Sequence, residues 1–255
     1  MRWLKVLLIL IVLAFLGLFL RGLYINNLKV ILSNVYSNGD IKELTFKVTY
    51  GGFAPLGKAV IVNKGVEELG DKDVYHIKAE AELNWFINRI YKIKAEINSF
   101  IDKNKLYPLK FTQMLEIPGK PRQEKIMIYD QLNHIMKRGK EARIILPNTQ
   151  DPLSILFYFM RQDLKVNDIF DFNFNTNQKN LRFYAKVLGK QEIQISGRKR
   201  YEVYMIKGSV KRRSKSLRHS SEFTIWFVDK PFKAPVLVKV FTGVGPVVVR
   251  TVETN

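Results

Sequence analysis

Hydrophobic residues alternate with polar ones along most of this chain, and a period of two dictates half-buried antiparallel strands. In KELTFKVTY, Leu44, Phe46, Val48 and Tyr50 share one face. In VYHIKAEAEL, Tyr75, Ile77, Ala79 and Ala81 alternate with His76, Lys78, Glu80 and Glu82. In KIKAEINSFID, Ile93, Ala95, Ile97 and Ile101 do the same against Lys92, Lys94, Glu96 and Asn98. Further candidate strands are 57–63, 108–117, 123–130, 133–138, 141–146, 168–176, 181–188, 200–208, 221–229, 235–242 and 247–253. Gly, Pro, Asn or Asp separates most of them. Short strands at this spacing specify a sandwich or barrel, and a barrel also removes exposed edges. The expected fold is all-β, a mainly antiparallel barrel or half-barrel, with residues 41–255 forming a single domain.

One segment breaks the pattern. In DPLSILFYFMRQD, Asp151 suits an N-cap and Pro152 the first helical position. The helix expected at about 151–161 has almost no polar face, so it must be buried. Inside a curved sheet it would act as a plug, with Leu153, Leu156, Phe157 and Met160 on its packing surface. Most of the 17 Phe, 11 Tyr and 3 Trp are expected to pack in the core, Trp85 and Trp226 among them. Aromatic inward faces can also leave an apolar cavity.

Residues 6–20, VLLILIVLAFLGLFL, follow Arg2 and Lys5. The run resembles a signal peptide, but no pair of small residues at A-x-A spacing occurs between Ala14 and Ser33. Residues 1–25 are therefore expected to be an uncleaved signal anchor rather than a cleaved signal peptide. The apolar stretch reaches membrane-spanning length if Lys5 and Arg21 snorkel. Either reading exports the domain through a spacer at 26–40. The resulting location is the cell envelope: anchored in the inner membrane facing the periplasm, or free in the periplasm if the leader is removed.

The chemistry is sparse. With no Cys, the chain has no disulfide, thiolate site or lipid-modified N-terminal cysteine. His76, His134 and His219 are scattered, and no ligand spacing suggests a metal. There is no nucleophile elbow or phosphate loop, so no catalytic residue and no cofactor is expected. Gly51, Gly52 and Gly57 read as a hairpin connection. Glu67 and Glu68 read as turn acids, and Asp163, Asp168 and Asp171 as solvated acids flanking the helix exit.

Against 23 acidic residues stand 42 basic ones, a net charge of +19 that favours anionic partners. Arg198, Lys199 and Arg200 open one strand; Lys207, Lys211, Arg212, Arg213, Lys215 and Arg218 follow closely. This stretch is the candidate anionic contact. Near a membrane each base contributes about 1 kcal/mol with anionic lipid. Nucleic acid is not expected, because the domain is exported and no aromatic interleaves 211–219.

The order of several motifs resembles the bacterial envelope family called domain of unknown function 3108. They are FKVTYGGFAPLGKA (46–59), YKIKAEINSFID (91–102), LYPLKF (106–111), TQDPLSILFYFMR (149–161), LKVND (164–168), VLGKQ (187–191) and TIWFVDKPFKAPVLVKV (224–240). The resemblance implies an exported, mostly antiparallel β domain with one helix after Gln150-Asp151-Pro152, and it implies no enzymatic activity. Asn167 stands where the family usually has Gly. Members are often secreted or lipid-anchored, and this chain lacks the lipobox cysteine.

The expected function is that of a non-enzymatic envelope protein binding an amphiphilic or anionic component, lipid or glycan. Its expected partners are the membrane, through the N-terminal helix, and such a ligand or an envelope protein. The rival readings are a structural or adaptor subunit of an envelope assembly and a glycan-acting enzyme. The last requires two or three polar groups in mutual reach.

Overall fold

A strand that alternates needs a sheet with one face toward water and the other toward a core. The computed structural model describes residues 36–37, 40–91, 93–176, 179–194, 200–212, 221–230, 233–242 and 245–252. The expected anchor at 1–25 and most of the spacer at 26–40 lie outside the described residues. Among the described residues no helix is long and apolar enough to cross a membrane.

A two-residue ribbon, β1 (Tyr36–Ser37) and β2 (Asp40–Ile41), comes first. Then follow β3 (Glu43–Tyr50), β4 (Ala54–Leu69), β5 (Lys72–Leu83), α1 (Trp85–Tyr91), β6 (Lys94–Asp102), β7 (Pro108–Glu116) and β8 (Gln123–Asp130). After β9 (Ile135–Arg138) and β10 (Glu141–Ile144) comes the long helix, α2 (Pro152–Arg161). The chain finishes with β11 (Ile169–Thr176), β12 (Lys179–Gln194), β13 (Arg200–Arg212), β14 (Ser221–Val228), β15 (Ala234–Thr242) and β16 (Gly245–Val252).

Strands β3 to β16 form one sheet of 14, in the order β10-β9-β8-β7-β6-β5-β4-β3-β16-β15-β14-β13-β12-β11. Within it, strands consecutive in sequence pair antiparallel, except β10 and β11, and β3 pairs antiparallel with β16. Two meandering arms thus meet along β3 and β16. All fourteen segments picked out by alternation are strands. The sequence reading misses the ribbon β1–β2, which falls in the expected spacer and its boundary, and the short helix α1. It also ends β4, β12 and β13 too early. In β4 a bulge between Asn63 and Val66 shifts the phase of alternation, and a bulge between Val187 and Gly189 does so in β12. Glu67 and Glu68 consequently sit within β4 rather than in a turn.

The inner face carries Leu44, Phe46 and Val48 of β3, at most 2% exposed, while Lys47 between them faces water. Two connections explain nearby glycines. Gly51 and Gly52 have φ of 63° and 86°, the left-handed turn expected of a hairpin. Gly57 is different: a Cβ there would lie 2.1 Å from the Glu82 carbonyl oxygen on β5, so close approach of two strands excludes a side chain. Asn167 adopts the left-handed conformation at φ 75°, which Asn tolerates better than most residues other than Gly.

Strands β10 and β11 are the two ends of the sheet, and residues 145–151 form a strap across the gap between them. The strap pairs with β11 through Gln150 N–H to the Asn173 carbonyl (2.7 Å) and Asn175 N–H to the Gln150 carbonyl (2.8 Å). Side-chain amides complete it: Gln131 Nε2 donates to the carbonyls of Pro108 (3.0 Å) and Thr149 (2.9 Å). Asn173 and Asn180 donate to the carbonyls of Pro147 (2.7 Å) and Ile144 (2.9 Å). The sheet is barrel-like, with α2 packed inside its curve.

Candidate functional site

The helix α2 begins where its sequence says it should. Ser154 N–H donates to Asp151 Oδ1 (2.8 Å), and Asp151 N–H donates to Ser154 Oγ (2.8 Å). This capping box satisfies two otherwise orphaned donors. Asp151 is fully buried, and Ser99 Oγ on β6 donates to its Oδ2 at 2.6 Å. Burial pushes the Asp151 pKa up to about 6, against hydrogen bonds from Ser99, Ser154 and Leu153 that hold it down. Burial, and to a lesser extent the nearby Asp151 carboxyl, pushes the Tyr129 phenol up. The cap thus anchors the helix to the sheet from inside.

From that anchor α2 divides the core. Leu153 and Phe157 pack with Leu44, Ile61, Ile77 and Ile101 of the first arm. Ile155 and Phe159 pack with Phe174, Phe183, Ile206 and Phe223 of the second. Of the four expected packing residues, Leu153 and Phe157 are buried, whereas Leu156 and Met160 are only half-buried. Ile155 and Phe159 belong to the same all-apolar helix, expected to be buried as a whole, and are buried although not among those four. Their i, i+4 spacing on an all-apolar helix could have revealed a second packing face.

The second side carries an apolar recess of about 50 Å³, lined among others by Ile155, Leu156, Phe159, Ile225, Val238 and Val240. Leu156, Ile225 and Val238 of this lining are half-buried. On the first side the corresponding gap, by Ile61, Ile77, Leu153 and Phe157, is about 10 Å³. Of these two spaces the larger lies on the aromatic side of the helix.

Three residues of the expected basic contact are described: Arg200, Lys211 and Arg212. Arg198, Lys199, Arg213, Lys215 and Arg218 lie outside the described residues. Of the rest, Arg200 opens β13 and Lys211 and Arg212 close it. At about 3.3 Å per residue the strand holds them roughly 40 Å apart, at opposite ends of the sheet. An extended strand separates its ends, so Arg200 does not lie beside Lys211 and Arg212. Lys207, in between, faces Glu222 at 4.0 Å.

Several other polar residues have local partners. Asp163 pairs with Lys233, Asp171 with Arg182, and Asp168 accepts from the Lys165 N–H at 2.8 Å. His76 lies between Glu67 (3.2 Å) and Asn98 (2.9 Å), stacked on Phe100. His219 lies outside the described residues. Among the described residues no three His, Asp or Glu gather to hold a metal. Not every aromatic is core: Trp226 is half-buried beneath Lys239 (5.2 Å from the ring centroid), and Trp85 and Phe86 are 73% and 62% exposed.

Comparison with curated proteins finds no significant match. Among solved structures, the chain is similar to a β-barrel-like protein of domain of unknown function DUF1849 from Brucella abortus. That likeness has a TM-score of 0.50 at 8% identity, over 83% of this chain and 95% of the other, and shows the fold alone. A Bacteroides fragilis protein with a YmcC-like fold, named as exported, aligns at 7% identity and a TM-score of 0.33, over 92% of this chain and 97% of its own. The family model described as "Protein of unknown function (DUF3108)" matches residues 45–252, and the chain belongs to that family.

Proposed function

We propose that this is a non-enzymatic component of the bacterial cell envelope whose β domain binds an amphiphile. A slender apolar tail enters the recess beside α2. The observation that carries this reading is the recess itself, an apolar space of about 50 Å³ beside the helix. It is smaller than the roughly 150 Å³ cavity known to bind benzene, so it suits the end of an alkyl chain rather than a bulky ring system. The lining is aliphatic and aromatic, which favours lipid over glycan. The apolar run at 6–20 supports export and anchoring, with the domain in the periplasm.

Native mass spectrometry of the full chain, released gently from membranes, tests the reading. The wild type is expected to carry an adduct of lipid mass, and Ile155→Trp, which fills the recess, is expected to lose it while still folded. A wild-type protein free of any adduct would count against ligand binding.

A structural or adaptor role is a second reading, favoured by β10. This four-residue edge strand is exposed throughout, with Ile144 79% exposed. In-cell crosslinking from Ile144 to one stoichiometric protein would support it.

A further inference from the structure

Strand directions sort the connections into two ends. The chain enters the sheet at Glu43, and the turn Gly70–Asp71 lies at that same end. At the opposite end lie the turn 51–53, helix α1 and the turn 117–122, which joins β7 to β8. This far rim carries large apolar side chains held out in water: Phe53 is 76% exposed, Trp85 73% and Phe86 62%. Tyr50 and Phe241, on the adjoining ends of β3 and β15, are 37% and 40% exposed. The arrangement is built. Asn84 N–H donates to the Leu56 carbonyl (2.8 Å) and Asn84 Oδ1 accepts from Phe86 N–H (3.2 Å), fixing α1 beside the start of β4. Gly51 N–H donates to the Pro246 carbonyl (2.8 Å), which joins the Phe53 turn to the end of β16.

Basic residues continue the rim. Arg89 is exposed on α1, and Lys94, Lys120 and Arg122 surround a shallow concavity of about 340 Å³ in which Glu116, 3.7 Å from Arg122, is the one acid, leaving the bases in excess. Burying an exposed aromatic rim needs a partner, and the flanking bases select an anionic one. A second copy of the same rim would oppose like charges. Aromatics raised singly on turns and a short helix, with bases beside them, match the interface of a bilayer: rings enter among the acyl carbons while bases meet phosphates.

We propose that this rim docks the domain on a bilayer surface containing anionic lipid, with Phe53, Trp85 and Phe86 inserting and Arg89, Lys94, Lys120 and Arg122 meeting headgroup phosphates. The docking end lies opposite the end at which the chain enters the sheet. The proposal is independent of whether the recess beside α2 holds a ligand.

The chain has no cysteine, so single labelling sites can be introduced cleanly. Phe86→Cys at the rim and Asp71→Cys at the entry end each receive an environment-sensitive fluorophore. The labelled full chains are held in phosphatidylcholine nanodiscs and titrated with equimolar phosphatidylglycerol–phosphatidylcholine vesicles. Emission from position 86 is expected to shift to the blue with these vesicles, to stay fixed with pure phosphatidylcholine vesicles, and to recover in high salt. Position 71 is expected not to respond. Adding Phe53→Ser and Trp85→Ser to the label at 86 is expected to weaken vesicle affinity roughly 100-fold. No shift at 86, an equal shift with neutral vesicles, or a shift at 71 alone would overturn the proposal. So would full competition by soluble polyglutamate with no loss from the aromatic substitutions, which would make the rim a site for an acidic protein.

Discussion

The two sides of α2 are filled to different degrees. Toward the first arm, Leu153 and Phe157 meet Leu44, Ile61, Ile77, Ile97 and Ile101, and the residual gap is about 10 Å³. Toward the second arm, Phe159 meets Phe170 edge-on, with ring centroids 4.7 Å apart, and Phe183 stacks on Phe223 at 5.0 Å, beside a recess of about 50 Å³. Branched aliphatic chains interdigitate closely. Rings are rigid and prefer tilted or offset contacts, so a ring-lined wall closes less completely around a helix. One helix can thus be clamped on one side and leave a binding space on the other.

The largest effect is expected from breaking the clamp. Phe157→Ala is expected to lower unfolding free energy by about 3–5 kcal/mol in urea titrations. A loss under about 1 kcal/mol would mean that the first arm does not hold the helix.

The cap that ties α2 to β6 gives a pH-dependent test. Asp151 has a folded pKa of about 6, above its ordinary value of 3.8. Its contribution is fully present below pH 3.8 and is lost as pH rises through about 6. The loss is on the order of 3 kcal/mol. Asp151→Asn keeps a capping oxygen but does not titrate. Unfolding free energies measured from pH 4 to 7 are expected to show wild type losing stability relative to this variant as pH rises. Parallel curves would show that burial does not perturb the carboxyl.

Added bulk sharpens the contrast between the sides. Leu153→Phe overpacks the filled side and is expected to cost about 1–3 kcal/mol, whereas Ile155→Phe grows into the recess and is expected to cost less than about 1 kcal/mol. Equal costs from thermal unfolding would erase the distinction. The smallest stability effect belongs to the rim: Trp85→Ser is expected to change unfolding free energy by less than about 0.5 kcal/mol. A larger change would mean that Trp85 supports the fold.

The strands were legible because a sheet with one buried face writes its period into Leu44, Phe46 and Val48 or Ile97 and Ile101. The cap was equally legible in Asp151-Pro152. Long strands were cut short where bulges after Asn63 and Val187 shifted the phase. The strap escaped because amides such as Gln131 and Asn173 hold it, and amides carry no periodicity. Helix α1 has seven residues, too few to declare a helical period. The recess was legible only as a general possibility of an aromatic interior. Its place depends on which face of α2 meets which arm, a tertiary fact. The rim aromatics, Trp85 included, look like core residues in sequence, since composition does not say which rings a turn lifts into solvent.

The most direct test of ligand capture is photocrosslinking of the full chain with a diazirine-bearing fatty acid, located by peptide mass spectrometry. Labels are expected on residues 155–160 and 223–240, and are expected to disappear in Ile155→Trp. Labels confined to residues 50–53 and 85–91, or labelling unchanged by Ile155→Trp, would contradict a binding site beside α2.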